Sequence, residues 1–157
     1  MKSLENRTAI VTGAGAGIGA AIAQRLARDG AKVLLAELNE DAAGPVLEAI
    51  EAEGGEGHVL ATDVGQRDQV ERMVATALER WGQVDILVNN AWGSKAGLKP
   101  IEQMTDEDLR SAFEVGTLGC HWAMMACLPH MKAAGYGRIV NMASLNGINA
   151  HMYTAHY

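Results

Sequence analysis

The chain has 157 residues with 19 acidic and 13 basic side chains, a formal net charge of −6, and is 48% hydrophobic and 20% charged. That balance is too apolar for a disordered chain, and its scattered positive residues form no basic stripe, which excludes nucleic acid as a main partner. No apolar run is long enough to span a membrane, so no membrane partner is expected, and the length suits one domain, residues 1–157, with a core of its own.

Met1 to Arg7 is short and polar rather than a secretion signal, which points to a cytoplasmic location. Thr8–Val11 reads as a first strand. It runs into Thr12-Gly13-Ala14-Gly15-Ala16-Gly17-Ile18-Gly19, and a helix follows over Ile18–Asp29. Gly13 lets the chain turn off the strand, Gly17 removes a side chain where a pyrophosphate would approach, and Gly19 allows close helix–strand packing. The unpaired N–H groups and the dipole of the helix N-terminus would attract that anion. Counting Gly13, Gly17 and Gly19, the spacing is G-x-x-x-G-x-G rather than the G-x-G-x-x-G of the usual dinucleotide fingerprint. No Lys-Ser or Lys-Thr follows, so it is not a P-loop. Glycines in the first turn of any doubly wound domain are the bland alternative.

Val33–Ala36 is a second strand, ending in Glu37, a carboxylate placed to take adenosine ribose hydroxyls and to repel a 2′-phosphate. Leu38-Asn39 offers no cation to such a phosphate, so NAD is the expected cofactor. A solvated strand end is the alternative for Glu37. A helix over Glu40–Glu53, a strand over His58–Ala61, a helix over Gln66–Trp81 and a strand over Ile86–Val88 come next. A long helix over Thr105–Ala134, opened by a capping box at Thr105-Asp106-Glu107-Asp108, leads to a last strand over Ile139–Asn141. Gly30, Gly54-Gly55, Gly82 and Gly135 stand where these helices should stop.

Strand–helix alternation with apolar strands predicts an α/β fold, a doubly wound Rossmann-type parallel sheet of order 3-2-1-4-5. Ligands then sit outside the carboxyl ends of the strands. There Asp63 could accept from an adenine amino group, Asn90 and Ala91 would lie beside the nicotinamide ribose, and Ser144 follows the last strand. Singly, Asp63 would be a helix N-cap and Asn89-Asn90 a turn. Cys120 and Cys127 read as core thiols too far apart to pair. The five histidines form no metal-ligating pattern, and His151 and His156 read as solvated loop residues.

Taken together, the glycine stretch, Asp63-Val64, Asn89-Asn90-Ala91-Trp92 and Gly137-Arg138-Ile139-Val140-Asn141-Met142-Ala143-Ser144, with Tyr157 after it, resemble the classical short-chain dehydrogenases/reductases from Thr8 to Tyr157. The resemblance implies hydride transfer between an alcohol and a carbonyl, with Tyr157 as acid/base and Ser144 holding the carbonyl oxygen. It implies cofactor contacts at Gly13, Ala16, Gly17, Ile18, Gly19, Glu37, Leu38, Asp63, Val64, Asn90 and Ala91. It further implies a small alcohol or carbonyl substrate and a homo-oligomer in the full-length parent.

The sequence departs from that family in several places. The family's lysine four residues after the tyrosine is absent, and the sheet is expected to be incomplete at its C-terminal end. The chain therefore reads as a fragment, weak or inactive by itself and prone to self-association. The family's helical asparagine falls on Gly116, which either keeps that helix's kink or loses a proton relay. Trp92 replaces the motif's glycine, either walling the nicotinamide pocket or leaving the turn to Gly93. Leu145, Asn146, His151, Met152 and Tyr153 are assigned to the substrate-side loop. Two rival readings are a non-catalytic nucleotide-binding or interaction module that has lost turnover, and a methyltransferase on the same sheet type.

Overall fold

Along the strands, successive side chains point to opposite faces of the sheet, and here both faces are apolar. The computed structural model describes residues 3–93, 97–149 and 151–156. Five parallel strands, β1 (Thr8–Thr12), β2 (Lys32–Glu37), β3 (Glu56–Ala61), β4 (Ile86–Asn89) and β5 (Arg138–Asn141), form one sheet of order β3-β2-β1-β4-β5. The helices are α1 (Gly17–Arg28), α2 (Glu40–Ala52), α3 (Arg67–Trp81), α4 (Asp106–Phe113) and α5 (Gly119–Ala134).

On one face Ala9, Val11, Val33, Leu35, Ile86 and Val88 pack against Ala23 and Ala27 of α1 and Ala43, Val46 and Ile50 of α2. On the other, Ile10, Leu34, Ala36 and Leu87 meet Val70, Met73, Val74 and Ala77 of α3 and Ala123, Cys127 and Met131 of α5. Full burial of a Leu or Ile side chain contributes roughly 1.5–3 kcal/mol, so this two-sided core holds the rim where the strands end. The expected strand order and doubly wound architecture are both present. Among the described residues no helix is long and apolar enough to cross a membrane.

The expected continuous helix over Thr105–Ala134 is corrected. α4 and α5 are separated by a π-helical turn over Glu114–Leu118. Close packing at Gly119 accompanies this turn, since a Cβ there would lie 2.6 Å from the Val64 carbonyl oxygen. At the opposite end of the sheet, buried Asp85 accepts from the Thr8 N–H at 2.9 Å and from Arg7 Nη1 at 2.8 Å. A buried charge needs such partners, and this pair ties the start of β1 to the loop before β4.

Candidate nucleotide site and adjoining cavity

The carboxyl ends of the five strands deliver the glycine turn, Glu37, Asp63, Asn90 and Ser144 to one rim. Gly13 has φ 63°, and a Cβ there would lie 2.9 Å from the Ala91 Cα. Gly19 is the tightest position, because a Cβ would come within 2.0 Å of the Gly13 carbonyl oxygen. Both glycines therefore follow from the close approach of helix, turn and β4. Gly17, φ 54°, faces open space. Ala16, the N-cap of α1, supplies no side-chain hydrogen bond, and the first turn carries no acidic residue. The N–H groups at this helix end are thus left to an anion, the arrangement a pyrophosphate requires.

Thr12 and Asn90 lock the turn to β4. The Thr12 hydroxyl oxygen accepts from the backbone N–H groups of Asn90 and Ala91, each at 3.0 Å. Asn90 Nδ2 donates to the carbonyls of Thr12 and Gly13 at 3.0 and 3.1 Å. Glu37 closes the far side: its Oε2 accepts from the Gly15 N–H and its Oε1 from the Leu38 N–H, both at 2.9 Å. Asp63 accepts from the Gly65 N–H at 2.9 Å rather than capping α3, whose N-cap is Gln66.

Two cavities open along this rim. The first, about 560 Å³, is lined by Gly13, Ala16, Glu37, Leu38, Asp63, Val64, Asn90 and Ala91 of the expected cofactor set, and also by Thr62, Ser111 and Glu114. The second, about 750 Å³, is lined by Ile18, Asn90, Ala91 and Ser144 together with Phe113, Gly116, Ile148 and His156. Trp92 lines both and forms part of the wall between them. Gly17 and Gly19 line neither; they shape the helix end behind the first cavity. Tyr157 lies outside the described residues.

Ser144 is half-buried, and its Oγ accepts from the Asn146 N–H at 3.2 Å at the head of a short 3₁₀ turn. The hydroxyl proton is left to point elsewhere. Leu145, Asn146, His151, Met152 and Tyr153 are not among the residues lining the second cavity, where Gly147, Ile148, Ala155 and His156 stand instead. His151 is exposed as expected, but His156 is buried, which corrects its reading as a solvated residue. Its ring stacks on the Trp92 indole, and that contact takes it out of solvent.

Gly116 sits in the π-helical turn facing Trp92, whose Cδ1 would be 3.6 Å from a Cβ there. The kinked helix is therefore kept without a side chain at this position. The half-buried Cys120 donates its thiol to the Gly116 carbonyl at 3.3 Å, while Cys127 is a core thiol that burial pushes up to about 12. Asp108, in the expected capping box with Thr105, is held down at about 2, chiefly by the Lys99 ammonium 2.5 Å away.

Gly15, Thr12 and His156 were not among the residues the sequence marked out for the site. Gly15 lay inside the glycine stretch, and the hydroxyl of Thr12 closed it, so the signal for both was adjacent. Nothing in the sequence signals the burial of His156.

An uncapped helix end beside a strand-end carboxylate, on a sheet of this order, defines a nucleotide-binding α/β protein of Rossmann type. Its family follows from comparison with known sequences, where the profile of the short chain dehydrogenases matches residues 7–157. The chain belongs to the classical short-chain dehydrogenase/reductase family. The sorbitol dehydrogenase of Cereibacter sphaeroides is 39% identical over 145 residues, covering 92% of this chain and 55% of that protein. A solved 7α-hydroxysteroid dehydrogenase complexed with NADH and 7-oxo glycochenodeoxycholic acid superposes with TM-score 0.92 at 34% identity, over 98% of this chain and 59% of that one. A metagenomic short-chain oxidoreductase in complex with NADP gives TM-score 0.92 at 35% identity, over 99% and 70%. The chain spans a little over half the length of the curated relatives it matches.

Proposed function

We propose that this chain is the cofactor-binding part of an NAD-dependent oxidoreductase that interconverts a small alcohol and a carbonyl, with Ser144 and Tyr157 at the reacting oxygen. The observation that carries this reading is the pair of cavities sharing Asn90, Ala91 and Trp92, one against the helix end and Glu37, the other against Ser144. When bound, the nicotinamide dinucleotide supplies the site that gives or takes the hydride.

The uncapped α1 N-terminus holds the pyrophosphate. Glu37 Oε1 accepts from the Leu38 and Asn39 N–H groups, while Oε2 accepts from the Gly15 N–H and keeps a lone pair for a ribose hydroxyl. A 2′-phosphate beside it would be repelled, and no Lys or Arg is among the described residues lining the first cavity. The related structures hold NADH in one case and NADP in another; the Glu37 carboxylate is what supports NAD in this chain. Ser144, already accepting from Asn146, donates its O–H to the reacting oxygen. Tyr157 takes or gives the proton. An ordinary phenol has a pKa of about 10, so exchange near neutrality needs positive charge beside it. Among the described residues lining the second cavity none is Lys or Arg, so that charge comes from beyond them.

Calorimetry with NAD and NADP, followed by NADH absorbance with a panel of secondary alcohols, tests the reading. NAD should bind, with NADP about tenfold weaker or worse. No NAD affinity, or tighter NADP, overturns it. The second reading, a non-catalytic nucleotide-binding module, rests on Gly116, which puts no polar side chain where the family has its asparagine. NAD binding without turnover, in the 157-residue chain and in one extended downstream, selects it.

A further inference from the structure

The two rim cavities meet at Asn90, Ala91 and Trp92, the described residues that line both. Of the described residues lining the first cavity, Trp92 alone is aromatic. It is 45% exposed, so a large aromatic surface stands open where the cavities join.

The indole is packed by two neighbours. His156 stacks on it, with ring centroids 5.8 Å apart and planes at 26°. His156 is itself buried, and neither ring nitrogen has a hydrogen-bond partner, so packing rather than hydrogen bonding places the imidazole there. What it gives the site is the flat face against the indole. The second neighbour is Gly116, where a Cβ would lie 3.6 Å from Trp92 Cδ1 and 3.8 Å from Nε1. The missing side chain leaves room for the pyrrole edge of the indole. A ring packed in this way has little rotamer freedom left to lose when a ligand settles against it.

A dinucleotide with its phosphates at the α1 N-terminus and its reacting ring beside Ser144 passes Trp92 on the way from one cavity to the other. Oxidised nicotinamide is a flat cation, reduced nicotinamide an uncharged ring, and among side chains indole attracts a cation to its face most strongly. We infer that Trp92 is a specificity-determining residue for the redox state of the cofactor: its indole takes the nicotinamide ring and favours the oxidised form. This rests on the cofactor reading given above. The consequence is a bound pair biased toward the form that accepts a hydride.

The test titrates the 157-residue chain by calorimetry with NAD, NADH and ADP-ribose, which lacks the nicotinamide. Indole emission is followed with NAD and ADP-ribose only, because NADH absorbs that emission from a distance. A Trp81→Phe/Trp122→Phe chain leaves Trp92 as the sole indole. There NAD should quench the emission by contact, while ADP-ribose binds without quenching it. Trp92→Leu keeps bulk but no π face, and it should weaken NAD about fivefold relative to NADH. Trp92→Phe should fall between Trp92→Leu and the parent, and circular dichroism establishes that the variants are folded. Should Trp92→Leu fail to fold, the emission comparison in the sole-indole chain decides. NAD bound without quenching, equal quenching by NAD and ADP-ribose, or an unchanged NAD/NADH ratio in folded Trp92→Leu overturns this assignment alone. Absent NAD binding overturns the oxidoreductase reading on which it rests.

Discussion

Glu37 reaches the glycine turn because residue 15 has no side chain. A Cβ at Gly15 would lie 2.9 Å from both Cγ and Oε2 of Glu37 and 3.0 Å from Ala42 Cβ. The stretch thus holds glycines for two purposes: Gly13 and Gly19 for backbone contact, Gly15 to admit a carboxylate. Gly15→Ala should displace that carboxylate, costing about 1–3 kcal/mol of stability and weakening the preference for NAD. Glu37→Gln keeps an acceptor for the Gly15 N–H but removes the charge. It should bring NADP about tenfold closer to NAD in affinity while changing stability little. Paired calorimetric titrations check both variants, and an unchanged NAD/NADP ratio in Glu37→Gln contradicts the role given to this residue. The roles of Gly13 and Gly19 were legible because spacing along one chain expresses them. That of Gly15 was not, because its partner stands 22 residues away and no periodicity records which side chain crosses to it.

Gly116 inside the π-helical turn and Gly119 at the start of α5 are two glycines whose replacement should have opposite effects. At Gly116 a Cβ would be in ordinary contact with Trp92, 3.6 Å from Cδ1 and 3.8 Å from Nε1. Glycine inside a helix costs about 1 kcal/mol relative to alanine, so Gly116→Ala should raise the melting temperature by roughly 2–4 °C. At Gly119 the same methyl would meet the Val64 carbonyl at 2.6 Å, backbone that gives way only if α5 moves off the end of β3. Gly119→Ala should therefore cost about 1–3 kcal/mol, and melting curves of the two variants separate the cases. Periodicity alone did not reveal the turn, because i→i+5 bonding selects no residue type and the helical character on both sides reads as continuous; only the family resemblance placed a kink at Gly116.

The start of α4 was legible, since a capping box is local. Its electrostatics give a pH prediction. The Asp108 carboxyl is lowered from 3.8 to about 2, first by Lys99 and then by the hydrogen bonds from Thr105. Its contribution is therefore fully present above about pH 4, declines as the pH falls, and is gone below about 2. Urea midpoints between pH 5 and 2 should fall less steeply in Asp108→Asn than in the parent. Parallel curves would deny the cap this role.

Across the whole molecule, the fold was legible because strand alternation and right-handed crossovers decide the sheet order together. Less legible was how far each helical layer extends. Ile139 of β5 pairs with Leu87 and is covered with it by the α3 and α5 layer. Val140 pairs with Val88, but while Val88 lies under the α1 and α2 layer, Val140 is 46% exposed. That layer therefore ends over β4. β5 pairs only with β4 among the described strands, and Met142 just beyond it is also exposed. An apolar strand with one unpaired edge and one uncovered face is a template for further strands. The 157-residue chain should consequently self-associate as its concentration rises. Val140→Lys places a charge on that uncovered face and should suppress the association, changing stability by less than about 0.5 kcal/mol because the side chain is half-exposed. Static light scattering over a concentration series measures the effect. A native chain that stays monomeric throughout, or a Val140→Lys variant that associates as strongly as the parent, would show that this face is not the one that drives assembly.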